Sequence, residues 1–313
     1  MIPKPPAREA SLGFLYFPPY RVQGVSIAGE QTCVMVPELD VCFDIGLCPR
    51  AALANKYLAI SHGHMDHIGG LAYWCSQRHF QGMGAGTIVC PKAIEKPLRD
   101  MLAAYNALEE QVTPFELIPL EYEQSIEIKN GIELKSIELD HTVAASGYVV
   151  VEKRSKLREE FNGLPQEKLR ELKDKGTEIT KILDIPLVAY LSDTAPGAAM
   201  LREDVREAKV VIAECTFVEP DHVERAGVGK HLHINHVVEW LPLLKAEALV
   251  LIHLSRRSNI GMAKKQLRAS LSKAESERVH FLMDYGTNRK RYEAQAEEAE
   301  RKERERNRAG ASG

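Results

Sequence analysis

Ser61-His62-Gly63-His64-Met65-Asp66-His67, running on into Ile68-Gly69-Gly70, is the stretch on which the reading of this chain turns. Within six residues it gathers four side chains able to bind a metal: His62, His64, Asp66 and His67. Three histidines crowded beside a carboxylate would repel one another on protonation unless a cation holds them neutral. The stretch therefore reads as a metal-binding loop and not as a histidine-rich turn. In an extended loop, residues two apart point the same way, so His62 and His64 can grip one ion while Asp66 and His67 turn toward a second. The glycine pair that follows lets the backbone turn sharply.

Working outward, Tyr57 to Ser61 is a compact apolar run suited to a buried strand, and the residues from Ile68 to His79 read as a helix. Upstream, Val22 to Ala28, Thr32 to Pro37 and Val41 to Ile45 are strands. Downstream come a strand at Thr87 to Pro91, a helix at Lys92 to Leu108, and strands from Phe115 to Leu139 turning at Lys129-Asn130-Gly131. Val149 to Glu152, Pro186 to Leu191, Val210 to Ala213 and Ala248 to His253 continue the strand pattern, with helices around Val237 to Leu244 and from Gly261 onward. Strands alternating with helices in both halves predict an α/β fold, a sheet system sandwiched by helices.

Two segments break the pattern. Lys153 to Asp184 is polar and charge-dense, with a turn at Asn162-Gly163-Leu164-Pro165 and a helix from Gln166, and reads as an insertion projecting from a main domain of residues 1–288. Residues 289–313 are almost wholly charged, of mixed sign, before an Ala/Gly/Ser end. They read as a solvated helix or a disordered tail and not as a nucleic-acid arm.

The 313 residues are 44% hydrophobic, enough for a substantial core, and the net charge of -3 argues against a protein that coats itself in nucleic acid through bulk positive charge. Cys33, Cys42, Cys48, Cys75, Cys90 and Cys215 follow no paired spacing and read as reduced thiols in a cytoplasmic protein. Neither a secretory leader nor a membrane span is legible, so a soluble protein is expected.

His-x-His-x-Asp-His after a strand resembles the motif of the metallo-β-lactamase superfamily, and later residues match that family in order. Phe43-Asp44 resembles its first motif. His141 after Leu139-Asp140, Asp193 in Tyr190-Leu191-Ser192-Asp193-Thr194 and His253 after Leu249-Val250-Leu251-Ile252 resemble its remaining ligand positions. The resemblance spans roughly Val22 to Tyr285 and implies an αββα sandwich of two mixed sheets with a short projecting insertion. It further implies two Zn²⁺ ions per chain or other divalent metals: one on His62, His64 and His141, the other on Asp66, His67 and His253, with Asp193 bridging. Asp44 would orient a ligand histidine through its far nitrogen.

Within the superfamily the second half is most similar to ribonuclease Z, the endonuclease that removes the 3′ trailer of precursor tRNA. Glu214-Cys215-Thr216-Phe217 resembles its Glu-Ala-Thr-Phe element, Lys230-His231 its paired histidine, and Leu254-Ser255-Arg256-Arg257 its Phe-Ser-x-Arg run. Phosphodiester hydrolysis needs a nucleophile, charge neutralisation on the phosphoryl oxygens and a proton for the departing ribose oxygen. The resemblance implies His231 as that acid, Glu214 as its partner, and Asp66 as acceptor of the proton of the attacking water. Where the family shows His-Ser-Thr this chain has His231-Leu232-His233, which leaves the acid open between His231 and His233. The insertion resembles a short form of the family's tRNA-clasping arm, and its nearly balanced charges predict weak, salt-sensitive tRNA binding unless its lysines gather on one face. A homodimer is expected from family likeness alone. The competing readings are a hydrolase of a small phosphodiester such as a cyclic nucleotide, or of a thioester, and a non-enzymatic RNA-binding scaffold.

Overall fold

Runs of Val, Ile, Leu and Cys assemble into two sheets of seven strands each in the computed structural model, which describes residues 2–6, 9 and 11–310. The first sheet follows chain order: β1 (Gly13–Phe17), β2 (Tyr20–Ile27), β3 (Gln31–Val36), β4 (Val41–Phe43), β5 (Tyr57–Ala59), β6 (Gly86–Pro91) and β7 (Phe115–Leu120). The second runs β8 (Ser125–Lys129), β9 (Ile132–Leu139), β10 (Ala145–Leu157), β11 (Thr180–Leu191), β12 (Val210–Glu214), β13 (Ala248–Ile252) and β14 (Val279–Phe281). In each sheet the first four strands pair antiparallel and the last four parallel. The inner parallel strands β4, β5, β6, β12 and β13 are buried on both faces, which is why they read as compact apolar runs.

Helices close the outer faces. α1 (Met65–Ile68), α2 (Leu71–Phe80) and α3 (Glu95–Leu108) cover the first sheet, burying Trp74, Leu98 and Leu102 against Leu58 and Ile88. α4 (Gln166–Asp174) sits in the projecting segment. α5 (Ala198–Leu201), α6 (Glu203–Arg206), α7 (Val223–Gly229), α8 (Ile234–Trp240), α9 (Ile260–Ser270) and α10 (Lys273–Glu277) follow in the second half. Met200, Val205, Trp240 and Leu267 of this group pack on Val211 and Leu249 of the second sheet. Between the sheets lies a third core in which Phe43 stacks on Tyr190 with ring centroids 4.5 Å apart, close to Val150 and Ile212. The layers are therefore helix, sheet, sheet, helix, the expected αββα sandwich.

Some boundaries differ from the expectation. β10 and β11 extend far beyond Val149 to Glu152 and Pro186 to Leu191, pairing out to Leu157 and Thr180, so the projecting segment leaves the core as a two-stranded ribbon. Its strand hydrogen bonds are satisfied within the ribbon, so it needs no apolar pattern. On α4 the acidic Glu167, Glu171 and Asp174 recur at helical spacing along one stripe, with Lys168, Arg170, Lys173 and Lys175 spread to either side. The cations of this helix are thus not gathered on one face. β1 and β14 were not legible in the sequence, being short segments without a distinctive period.

α11 (Tyr285–Gly310) begins against the first sheet, where Tyr292 meets the Phe14 ring edge-on at 5.4 Å and Gln295 Nε2 donates to Tyr16 O at 3.1 Å. Its outer part carries pairs such as Glu298 with Lys302 and Glu300 with Arg304, one turn apart. Residues 311–313 of the charged segment lie outside the described residues. Among the described residues no helix is long and apolar enough to cross a membrane.

Candidate metal centre

The loops that carry the unusual residues all leave the carboxyl ends of strands: Asp44 follows β4, the histidine loop β5, His141 β9, Asp193 β11, and His253 β13. In sandwiched sheets that edge is where loops can converge on a ligand. Two of these positions are strained. Asp44 and His253 both sit at φ +57, a left-handed conformation that costs a non-glycine residue on the order of 1–3 kcal/mol and persists only where the surroundings hold it. Here they do. Asp44 N donates to Ala59 O at 2.9 Å, and His253 N donates to Ser26 Oγ at 2.9 Å.

The histidine loop is tied to the first sheet by short bonds, Ile45 N to His67 O and Gly70 N to Ile45 O, both 2.7 Å. Gly46 lies where the two segments cross; a Cβ there would come within 1.8 Å of Asp66 O, so only glycine admits the approach.

The hydrogen-bond network fixes how each imidazole faces. Ser61 gives its one hydroxyl proton to a neighbouring oxygen, Asp44 Oδ2 at 2.8 Å or Ser192 Oγ at 2.9 Å, and so accepts from His62 Nδ1 at 2.9 Å. His67 Nδ1 donates to Asp44 Oδ2 at 2.8 Å, and His141 Nδ1 to Lys230 O at 3.2 Å. Thr216 Oγ1 donates to Glu214 Oε2 at 2.8 Å, so it accepts from His253 Nδ1 at 2.9 Å. With all four Nδ1 atoms engaged as donors, the four Nε2 lone pairs point into one space.

There they meet other acceptors. His62 Nε2 is 3.0 Å from His64 Nδ1, which is 3.3 Å from His141 Nε2; His67 Nε2 is 3.3 Å from His253 Nε2, itself 3.3 Å from Asp66 Oδ2. Asp193 Oδ2 lies 3.8 Å from His62, 3.5 Å from His67 and 3.9 Å from His141. Ligand atoms about 2.0–2.1 Å from a tetrahedral metal stand about 3.3 Å apart, the spacing seen here. Asp193 Oδ1 is buried without a hydrogen bond among the described residues, its neighbour His253 Nδ1 being engaged by Thr216. Lone pairs facing lone pairs, with Asp193 Oδ2 among them and Asp193 Oδ1 unpartnered beside it, fit a bound cation.

Charge tells the same story. Burial alone would favour neutral His67, but the carboxylates of Asp193 and Asp44 hold its pKa well above the ordinary histidine value. Burial and then the positive His67 push His62 down to about 3. Without a cation, a proton on His67 Nε2 would offset the surrounding carboxylates; a divalent cation would displace that proton and leave the Nε2 lone pair free to bind it.

Every ligand candidate read from the sequence converges here, in groups of His62, His64, His141 and Asp193, of Asp66, His67 and His253, and of Asp193, His231 and His253. Beside them His231 Nδ1 donates to buried Glu214 Oε1 at 2.9 Å, and its side chain is 18% exposed, open to the cleft. Burial would lower the His231 pKa, but the bond and charge of Glu214 raise it above the ordinary value. His233 points elsewhere: its Nδ1 accepts from Asn235 N at 3.2 Å, capping α8, and its Nε2 donates to Glu219 O at 2.9 Å. Sequence reasoning missed Ser61, Thr216, Tyr190 and Gly29. The Tyr190 hydroxyl donates to Asp44 Oδ2 at 2.7 Å and Gly29 N donates to Asp66 Oδ2 at 2.8 Å.

A cavity of about 540 Å³ adjoins the centre, walled by Gly29, Thr216, Phe217, Arg225, Arg256 and Arg257. Arg225 lies over the Phe217 ring at 5.7 Å, and Arg256 pairs with Glu30.

Residues 51–158 match the family described as anti-Pycsar protein Apyc1, and residues 176–254 match the Beta-lactamase superfamily domain. A tRNase Z of Arabidopsis thaliana is 33% identical over 244 residues, 77% of this chain and 87% of that protein. Among solved structures, the metallo-beta-lactamase fold protein YhfI from Bacillus subtilis superposes with a TM-score of 0.59 at 13% identity, covering 86% of this chain and 95% of that one. The short form of human tRNase Z gives a TM-score of 0.54 at 18% identity, covering 79% and 93%. These two likenesses speak for the fold.

Proposed function

Since the chain belongs to the tRNase Z (ribonuclease Z) family of metallo-β-lactamase-fold, metal-dependent endoribonucleases, we propose that it removes the 3′ trailer of precursor tRNA with two zinc ions. The observation that carries this reading is the convergence of imidazole Nε2 atoms and carboxylates on one space, with the Glu214–His231 pair at its open side. His62, His64 and His141 would hold one ion and Asp66, His67 and His253 the other, Asp193 serving both. When bound, the ions neutralise charge on the phosphoryl oxygens and lower the pKa of the attacking water.

The chain's own groups do the rest. Asp66, fixed by Gly29 N, accepts the proton of the water. Glu214 accepts from Thr194 N, Thr216 N and Thr216 Oγ1, so its remaining role is to hold His231 with Nδ1 protonated and Nε2 toward the cleft. His231 then carries the proton that the departing ribose oxygen needs, the raised pKa keeping it available. Arg257, without an ion-pair partner among the described residues, is free to meet a backbone phosphate in the adjoining cavity.

The remaining parts of the reading have their own supports. Residues 1–288 would form the hydrolase unit, with residues 153–184 as a weak, salt-sensitive tRNA clasp and 289–313 as an appendage. Tyr73 and Phe80, seven residues apart on α2 and 56% and 76% exposed, suit a face shared with a second copy in a homodimer. Six free cysteines, most of them buried, suit the reducing cytoplasm.

Incubating zinc-loaded protein with a 3′-extended tRNA precursor and mapping the cut tests the proposal. A discrete cut beside the discriminator nucleotide is expected. Turnover of an aryl phosphodiester with no cleavage of the precursor would replace this reading by the small-phosphodiester one.

A further inference from the structure

A second cavity, of about 660 Å³, opens between α9, α10, β14 and the start of α11, and shares no residue with the metal centre. Its cations are Lys264, Arg268, Lys273 and Arg291, and its one lining carboxylate is Glu277. Two of the four cations are already matched: Lys264 bonds Asp284, and Lys273 faces Glu277 one turn along α10 at 3.8 Å. Arg268 and Arg291 have no carboxylate partner among the described residues.

Arg291 is the informative one. Its guanidinium lies over the Phe17 ring at 4.9 Å, half-buried, and its Nε is buried with no hydrogen-bond partner among the described residues. A guanidinium cannot shed its charge, so withdrawing it from water without a counter-ion is costly, and a cavity beside it is where a counter-ion would go. Burial first, and then the charges of Arg291 and Lys264, push the nearby His280 down to about 3, so the imidazole adds no charge of its own. Thr287 and Ser276 line the same space and carry hydroxyls, while Leu267, Val279 and Phe281 give it an apolar wall.

We propose that this cavity binds a phosphate group through Arg268 and Arg291, with the apolar wall against the nucleoside that bears it. Arginine matches phosphate in shape, its planar fork meeting two oxygens at once. The same chemistry could arrive as a free nucleotide or as a phosphate in a strand of RNA held away from the cleft. The site does not depend on which phosphodiester the metal centre cleaves.

Binding of AMP and of inorganic phosphate by calorimetry, and of a fluorescent single-stranded RNA by anisotropy, should be measured on the metal-loaded protein, on Arg268→Glu and on Arg291→Gln. Arg268 is exposed, so its variant folds; Arg291→Gln keeps part of the stem on Phe17. At least about a tenfold loss of affinity is expected in Arg268→Glu, with hydrolysis of an aryl phosphodiester unchanged. Loss for AMP alone identifies a free nucleotide as ligand, and loss for RNA identifies the backbone. Undiminished affinity in both variants, meaning that all phosphate goes to the metal centre, or no binding of any probe, overturns the proposal.

Discussion

From the first sheet one loop delivers four ligand-capable side chains within six residues, whereas the second sheet delivers His141, Asp193 and His253 singly, each from the end of a different strand. The loop's geometry is local, set by bonds to Ile45 and by the crossing at Gly46. The three single residues reach the loop only because the two sheets pack through Phe43, Tyr148 and Tyr190. The loop can keep its side chains in order by itself; the residues of the second sheet depend on the whole sandwich. Asp193 joins the two, lying within 4 Å of both histidine sets.

That contrast can be broken most directly at Asp193. Asp193→Ala should abolish turnover to background and release metal, as read by mass spectrometry of the zinc content, while circular dichroism stays native because the loop is held without it. Full metal content and turnover in this variant would mean that the loop suffices and the second sheet is scaffold. His231→Ala sharpens the comparison from the other side. If His231 is the proposed proton donor, its loss should lower turnover about a hundredfold with the metal content unchanged, since the proposed ligand sets stay complete. Loss of metal along with turnover would make His231 a ligand.

The same contrast explains what the sequence disclosed. The loop was legible because ligand-capable residues stand side by side, and the strands around it because buried parallel strands are unbroken apolar runs. Asp193 and His253 were legible only through their place at strand ends and a family likeness, since a lone aspartate or histidine has no pattern of its own. The roles of Ser61, Thr216 and Tyr190 were not legible: a hydroxyl gains its role from the oxygen it meets, and Tyr190 meets Asp44 across 146 residues of chain. The outward reach of β10 and β11 was hidden because a solvated ribbon satisfies its own backbone and carries no hydrophobic period.

His231 and His233 are the pair on which residue type alone could not decide, for two histidines two apart share a face if the strand is straight. The chain is not straight there. It leaves α7 through Lys230 in a left-handed conformation, exposes His231 beside Glu214, and then turns into α8 with His233 as the cap. One imidazole therefore spends its hydrogen bonds on the helix end and the other keeps Nε2 for the cleft. His233→Ala should cost about 1 kcal/mol, a few degrees in Tm by thermal unfolding, and leave turnover near wild type. If it instead lowered turnover as much as His231→Ala while the fold held, the acid would have to be assigned to His233, and the Glu214 pairing would be structural.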